Sequence, residues 1–187
     1  VFSTFCQNAT MKKLSLLISA LVFTLAGCES MSVSECKVAD WGRVGFADGS
    51  RGVAESRLAA YTEDCGKAGV HPNPVAYRQG WDAGILQFCT AANGWREGMQ
   101  GNSGKAAVCQ GRPGFEAFSR YLEAGLQVHR TSERMRENTN QINRLQKRLE
   151  ESKSDEEKRR LRNELHDIDH EQYRLRGLMS QQQMLAP

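Results

Sequence analysis

The sequence predicts a mainly α-helical protein: a small disulfide-stapled helical domain followed by an antiparallel, coiled-coil-like helical hairpin. Three observations predict it. Apolar residues recur at three- and four-residue steps, with no convincing alternating stretch that would read as a strand. Four cysteines, Cys36, Cys65, Cys89 and Cys109, are left for pairing once the N-terminal ones are set aside. After residue 125 the composition narrows to charged residues, Gln, Leu and Met.

The N-terminus reads as an address. Residues 1–10, before Met11, are expected to be untranslated upstream sequence. Residues 11–27 have the parts of a secretory signal: Lys12 and Lys13, an apolar run from Leu14 to Leu25, then small residues. That run is short of the ~20 residues a permanent membrane helix needs. It ends in Leu25-Ala26-Gly27-Cys28, which resembles a bacterial lipobox, with Cys28 as the acylated (palmitate-bearing) residue and new N-terminus. Residues 28–35 then serve as lipid anchor and linker. Several acyl chains hold far more firmly than one, so the anchor is expected to be stable. Glu29 follows the cysteine where Asp would favour retention in the inner membrane, so the expected location is the outer membrane, facing the periplasm.

Export decides how the cysteines are read. Cys6 precedes the start and Cys28 carries lipid, which leaves an even set of four in an oxidising compartment. Four cysteines allow three connectivities, and Cys36–Cys65 with Cys89–Cys109 closes the shortest loops. No pair has the C-x2-C spacing of a structural zinc site. Two bridges at ~3 kcal/mol each would matter greatly to a domain of only about 100 residues.

The domain is expected over residues 36–125. Ala54, Leu58, Tyr61 and Cys65 share one helical face, with Gly66 as C-cap. Asn73-Pro74 reads as N-cap and first helical residue of a second helix that buries Tyr77, Trp81, Ile85 and Phe88. A third helix begins near Pro113 and buries Phe115, Phe118, Leu122 and Leu126. The stretch between, with Gly94, Gly98, Gly101, Gly104 and Gly111, reads as loop-rich with one short helix.

Residues 126–187 read as the hairpin. Met135, Ile142, Leu145 and Leu149 keep heptad steps, and Leu161, Leu165, Ile168, Leu175 and Met179 do the same, with Gln172 at the skipped core position. Between the two runs, Ser154-Asp155-Glu156-Glu157 has the form of a capping box. Helices joined by so few residues fold back antiparallel, the alternative being one continuous helix.

Chemistry is harder to place. A five-residue pattern recurs as Gly45-Phe46-Ala47-Asp48-Gly49, Gly80-Trp81-Asp82-Ala83-Gly84 and Gly94-Trp95-Arg96-Glu97-Gly98. Glycine on a four-residue step lets another backbone approach closely, so packing is one reading. The other is a ligand platform from Trp41, Trp81 and Trp95, flanked by Asp48, Asp82 and Glu97, on which sugar rings could stack. The glycine-rich run from Gly98 to Lys105 has the wrong spacing for a phosphate loop, and Ala106 replaces its Ser or Thr. His166 and His170 have the spacing of two metal ligands, with Asp167 and Asp169 beside them, but lie off the apolar seam and read as solvated. No catalytic residue, metal or cofactor is expected.

One resemblance bears on this. Asp40-Trp41, Gly45-Phe46-Ala47-Asp48-Gly49, Cys65, Tyr77-Arg78-Gln79-Gly80 with Gly84, Phe88-Cys89, Asn93-Gly94, Gly98, Gly101 and Cys109 follow one another in a characteristic order. Over about residues 36–125 the chain resembles the bacterial lipoproteins grouped as Domain of Unknown Function 2799. Phe88 departs from the Tyr expected before the cysteine. The resemblance implies a lipoprotein setting and no activity.

The 25 Lys and Arg exceed the 22 Asp and Glu by three, and two of those lysines lie in the signal, so the mature chain is close to neutral. Such a chain lacks the broad basic surface of a nucleic-acid binder. The expectation is therefore a membrane-anchored periplasmic lipoprotein acting as a structural or adaptor protein, its hairpin engaging an envelope protein. The alternative is a glycan- or small-ligand-binding module that modulates a cell-wall enzyme.

Overall fold

Helices with glycine on a four-residue step can bring their backbones together, and that contact organises the middle of this chain. The computed structural model describes residues 30–187. The expected signal, the Cys28 anchor and residues 1–10 lie outside them. Helices α1 (Val33–Val38), α2 (Trp41–Ser50), α3 (Arg57–Gly66), α4 (Pro74–Phe88), α5 (Ala91–Met99), α6 (Ala106–Cys109), α7 (Phe115–Glu151) and α8 (Asp155–Gln183) follow in order, with one 3-10 turn at Ser103–Lys105. No strand occurs among the described residues. No helix among them is long and apolar enough to cross a membrane.

The described residues divide into two compact units, one of residues 30–38 and 59–72 and the other of residues 39–58 and 73–187. In the described part of the first, the Cys36–Cys65 disulfide (Cα–Cα 5.5 Å) ties α1 to α3. The Asp64 carboxylate accepts from the Ser30 backbone N–H at 2.7 Å and its hydroxyl at 2.6 Å, and Lys67 reaches it at 2.9 Å. Those Ser30 hydrogen bonds, with Lys67 beside them, hold the Asp64 carboxyl well below the usual carboxylate range. Gly66 is the last residue of α3 rather than its cap. The left-handed turn comes three residues later, at Gly69 (φ +72°).

In the second unit, α2 carries Gly42, Gly45 and Gly49, a composition that opposes helix formation on its own. Asp40 caps it by accepting from the Arg43 N–H at 3.1 Å, and packing on α4 does the rest. A Cβ on Gly45 would overlap the Tyr77 carbonyl, one on Gly49 that of Trp81, one on Gly80 that of Gly42, and one on Gly84 that of Phe46. The α4 cap is the expected one, Asn73 accepting from the Val75 and Ala76 N–H groups at 3.1 and 3.0 Å with Pro74 following.

The pattern repeats between α5 and α7, where Gly94 and Gly98 face the carbonyls of Phe118 and Leu122, and Gly125 faces that of Trp95. The stretch read as loop-rich therefore holds α5 and α6 as well as the turn, because Gly94 and Gly98 serve packing. Asn93 donates to the Phe88 and Gln87 carbonyls at 2.9 and 3.1 Å, so α5 closes the end of α4. The Cys89–Cys109 disulfide (Cα–Cα 5.6 Å) and the Phe88–Phe118 ring contact at 5.3 Å join the two helix pairs. Gly114 (φ +87°) then starts α7, in a conformation only glycine adopts freely and against the Cys89 carbonyl.

The expected boundary near residue 125 falls within α7. α7 runs 37 residues straight through it. Its first turns bury Phe118, Leu122 and Gly125, and later turns on a continuing stripe bury Asn138 and Leu145. The stripe changes partner from α5 to α8 while the helix goes on. The chain reverses at 152–154, and α8 returns along α7 as the expected antiparallel hairpin.

Candidate functional site

Of the residues proposed as a ligand platform, all but Asp82 are core. Trp41, Trp81 and Trp95 are 8%, 3% and 9% exposed. Trp81 donates from Nε1 to the Val53 carbonyl at 2.8 Å, and the Arg112 guanidinium lies 5.0 Å from its ring centre. Arg112 in turn binds the half-exposed Asp82 at 2.6 Å. Asp48 is buried and accepts from the Tyr77 hydroxyl at 2.9 Å and from Arg51 at 2.8 Å. Glu97, also buried, accepts from Asn102 at 2.8 Å. The physical reason lies in the motif: where glycines bring two backbones together, the aromatic residue next to them fills the space beside the contact and leaves the surface. No exposed platform of these six residues exists.

Two open surfaces bear on function. One is a groove of about 660 Å³ along α2 and α4, lined by Asp40, Arg43, Phe46 and Gln79 over a floor of small residues. Phe46, 38% exposed, is the aromatic of its motif that stays at the surface. The other is the outer face of the hairpin. A shallow concavity of about 630 Å³ on α7 is lined by Arg130, Glu133, Arg134, Arg136, Glu137 and Arg144, among others. Charges there alternate in sign. Arg130 pairs with Glu123 at 2.7 Å, Arg136 with Glu133 at 3.4 Å, and Arg134 with Glu171 of α8 at 3.2 Å. Pairs this exposed contribute only ~0–1 kcal/mol each and can be exchanged for a partner's charges.

Beneath that face the seam is as expected at one end and polar at the other. Leu145, Leu161 and Ile168 form its buried cluster, with Ile142, Leu149 and Leu165 packed on it. Farther along, Thr131, Asn138 and Gln172 are buried. Gln172 donates to the Met135 carbonyl at 3.2 Å and to the Thr139 hydroxyl at 3.3 Å. Its Oε1 and the Nδ2 of Asn138 are buried without a hydrogen-bond partner. Asn138 and Thr131 were missed in the sequence, although seven-residue steps back from Leu145 reach both.

At the turn, Ser154 accepts from the Glu157 N–H at 3.4 Å, which is half of the expected capping box. The Glu157 side chain goes instead to the Ser152 hydroxyl at 2.9 Å and to Arg148 at 3.3 Å. Those two contacts, Ser152 first, lower its pKa below the ordinary glutamate value. His166 and His170 lie exposed on α8 with their Nε2 atoms 3.2 Å apart. Among the described residues no group of three or more His, Cys, Asp or Glu side chains converges on a metal position.

Residues 40–127, spanning α2 to the first third of α7, match the family described as "Protein of unknown function (DUF2799)". No curated protein and no solved structure matches the chain.

Proposed function

We propose that this chain, which belongs to the DUF2799 family, is a lipid-anchored envelope lipoprotein that acts as a structural or adaptor protein, its hairpin presenting charged helix faces to an envelope protein. The observation that carries this reading is the continuity of α7. One 37-residue helix is fixed at its N-terminal end by the glycine-packed, disulfide-held core and ends in the hairpin. A helix held in that way transmits position from the core to the hairpin without a flexible joint. The burial of Trp81 and Trp95 favours the adaptor over the glycan platform, since that platform needed both rings at the surface. The two disulfides suit an oxidising compartment, and the lipobox-like run ending at Cys28 would fix the chain to the outer membrane, facing the periplasm.

The ligand-binding reading keeps one specific support, the half-exposed Phe46 in its groove with Asp40, Arg43 and Gln79. Amine-reactive crosslinking in intact cells separates the two. The hairpin offers Lys147, Lys153 and Lys158, whereas Lys67 and Lys105 lie elsewhere. Crosslinks to one envelope protein through the three hairpin lysines are expected. Saturable binding of cell-wall fragments, lost in Phe46→Ala, with no hairpin crosslinks would overturn the adaptor reading.

A further inference from the structure

His166 and His170 stand one helical turn apart on α8, on the face opposite the seam that Leu165, Ile168 and Gln172 bury or half-bury. Their rings meet edge to face with centroids 4.5 Å apart, and their Nε2 atoms approach to 3.2 Å. We propose that this pair is a two-imidazole chelate for a divalent transition-metal cation of the Cu2+, Ni2+ or Zn2+ class.

The geometry carries the proposal. Imidazole nitrogen binds such cations at ~2.0–2.1 Å, so two nitrogens on neighbouring coordination positions lie ~2.9 Å apart at a right angle and ~3.4 Å apart at the tetrahedral angle. The observed separation falls inside that interval. With both protons on Nδ1, both Nε2 lone pairs are free for a shared cation. The donors need little ordering on binding, because the seam already holds α8 helical on either side of them.

Donor chemistry sets the class of cation. Imidazole suits Cu2+, Ni2+ and Zn2+, and Cu2+ leads that series in affinity, whereas Mg2+ and Ca2+ prefer oxygen. Since no third His, Cys, Asp or Glu completes the set among the described residues, water fills the remaining positions. The site is therefore an exchangeable one on the surface of the hairpin. It stands independently of the adaptor reading, because neither the lipid nor a protein partner enters the argument.

The test is titration of the full chain with Cu2+, followed by calorimetry and by electron paramagnetic resonance. One Cu2+ coordinated by two imidazole nitrogens is expected, with no comparable uptake of Mg2+. His166→Gln and His170→Gln should each weaken binding on the order of 100-fold, since each removes one of two linked donors. His129→Gln should leave it unchanged, its Nδ1 being engaged with the Met99 carbonyl at 3.1 Å. Both α8 side chains are exposed, so circular dichroism should match wild type and keep the comparison clean. Cu2+ held as tightly by His170→Gln as by wild type, or a spectrum with a single imidazole, would overturn the proposal.

Discussion

The Tyr77 hydroxyl donates to the Asp48 carboxylate at 2.9 Å across the glycine contact between α2 and α4, and both side chains are almost wholly buried. Asp48 belongs to a motif for which the sequence also offers a ligand-platform reading, and Tyr77 to a helix face it predicts to be buried. In the structure the two meet each other, with Arg51 as a second partner of Asp48: Tyr77 is the aromatic whose backbone Gly45 touches, and Asp48 sits on the next turn of the helix that carries Gly45. Tyr77→Phe should cost about 1.5–3 kcal/mol of stability, as expected for a buried hydrogen bond to a carboxylate. Thermal unfolding followed by tryptophan fluorescence measures it. An unchanged midpoint would mean that the carboxylate is satisfied without Tyr77.

The glycines make a prediction with two signs. Gly80→Ala places a methyl group against the Gly42 carbonyl, and backbone on both sides leaves no flexible side chain to yield. A loss at or above the ~1–3 kcal/mol range for overpacking is expected, despite alanine's better helix propensity. Gly177, inside α8 with nothing near its missing Cβ, should behave in the opposite way, and Gly177→Ala should stabilise by ~0.5–1 kcal/mol. Denaturant midpoints of the two variants check both signs at once.

The hairpin can be melted separately from the core if the change of partner along α7 is an energetic boundary as well. Replacing Leu145 and Leu165 by Asp puts two carboxylates into the cluster around Leu161 and Ile168. A two-helix unit has little core to spare, so α8 and the end of α7 should unwind. Circular dichroism should lose helix signal, while the near-ultraviolet bands of buried Trp41, Trp81 and Trp95 persist. Loss of those bands too would mean that the 37-residue helix unfolds as a whole.

What could be read in the sequence follows from how local each signal is. Asn73-Pro74, the heptads around Leu145 and Leu161, and Ser154 as N-cap depend on neighbours a few residues away, and each appears where its spacing put it. The Cys36–Cys65 and Cys89–Cys109 bridges each close a short loop within one segment, as expected. By contrast, α2 and α5 are helices in spite of their glycines, and only the helices packed on them explain why. The ligand-platform reading put Trp81, Trp95, Asp48 and Glu97 at a surface through the same omission, whereas the packing reading of the motif, with Trp81 on a buried helix face, puts them inside. A residue's burial depends on the element across from it, and no spacing within one segment supplies that. The change of partner near residue 125 is hidden for a related reason: a stripe running from Phe118 to Leu145 passes from one partner helix to another without any change in its own chain.

Anchoring has its own test. Cys28→Ala should abolish labelling by palmitate and leave the protein unprocessed or soluble. Label retained by the variant would place the lipid elsewhere and remove the basis for an outer-membrane location.

The central claim is that the hairpin, and not the core, meets a partner. A photoactivatable residue in place of Tyr173, 77% exposed on α8, reports it most directly, with the same residue at Phe46 as the comparison. Both variants are compared in intact cells. The account predicts one discrete protein adduct from position 173 and none from position 46. An adduct from position 46 alone, or glycan attached there with position 173 silent, would contradict it.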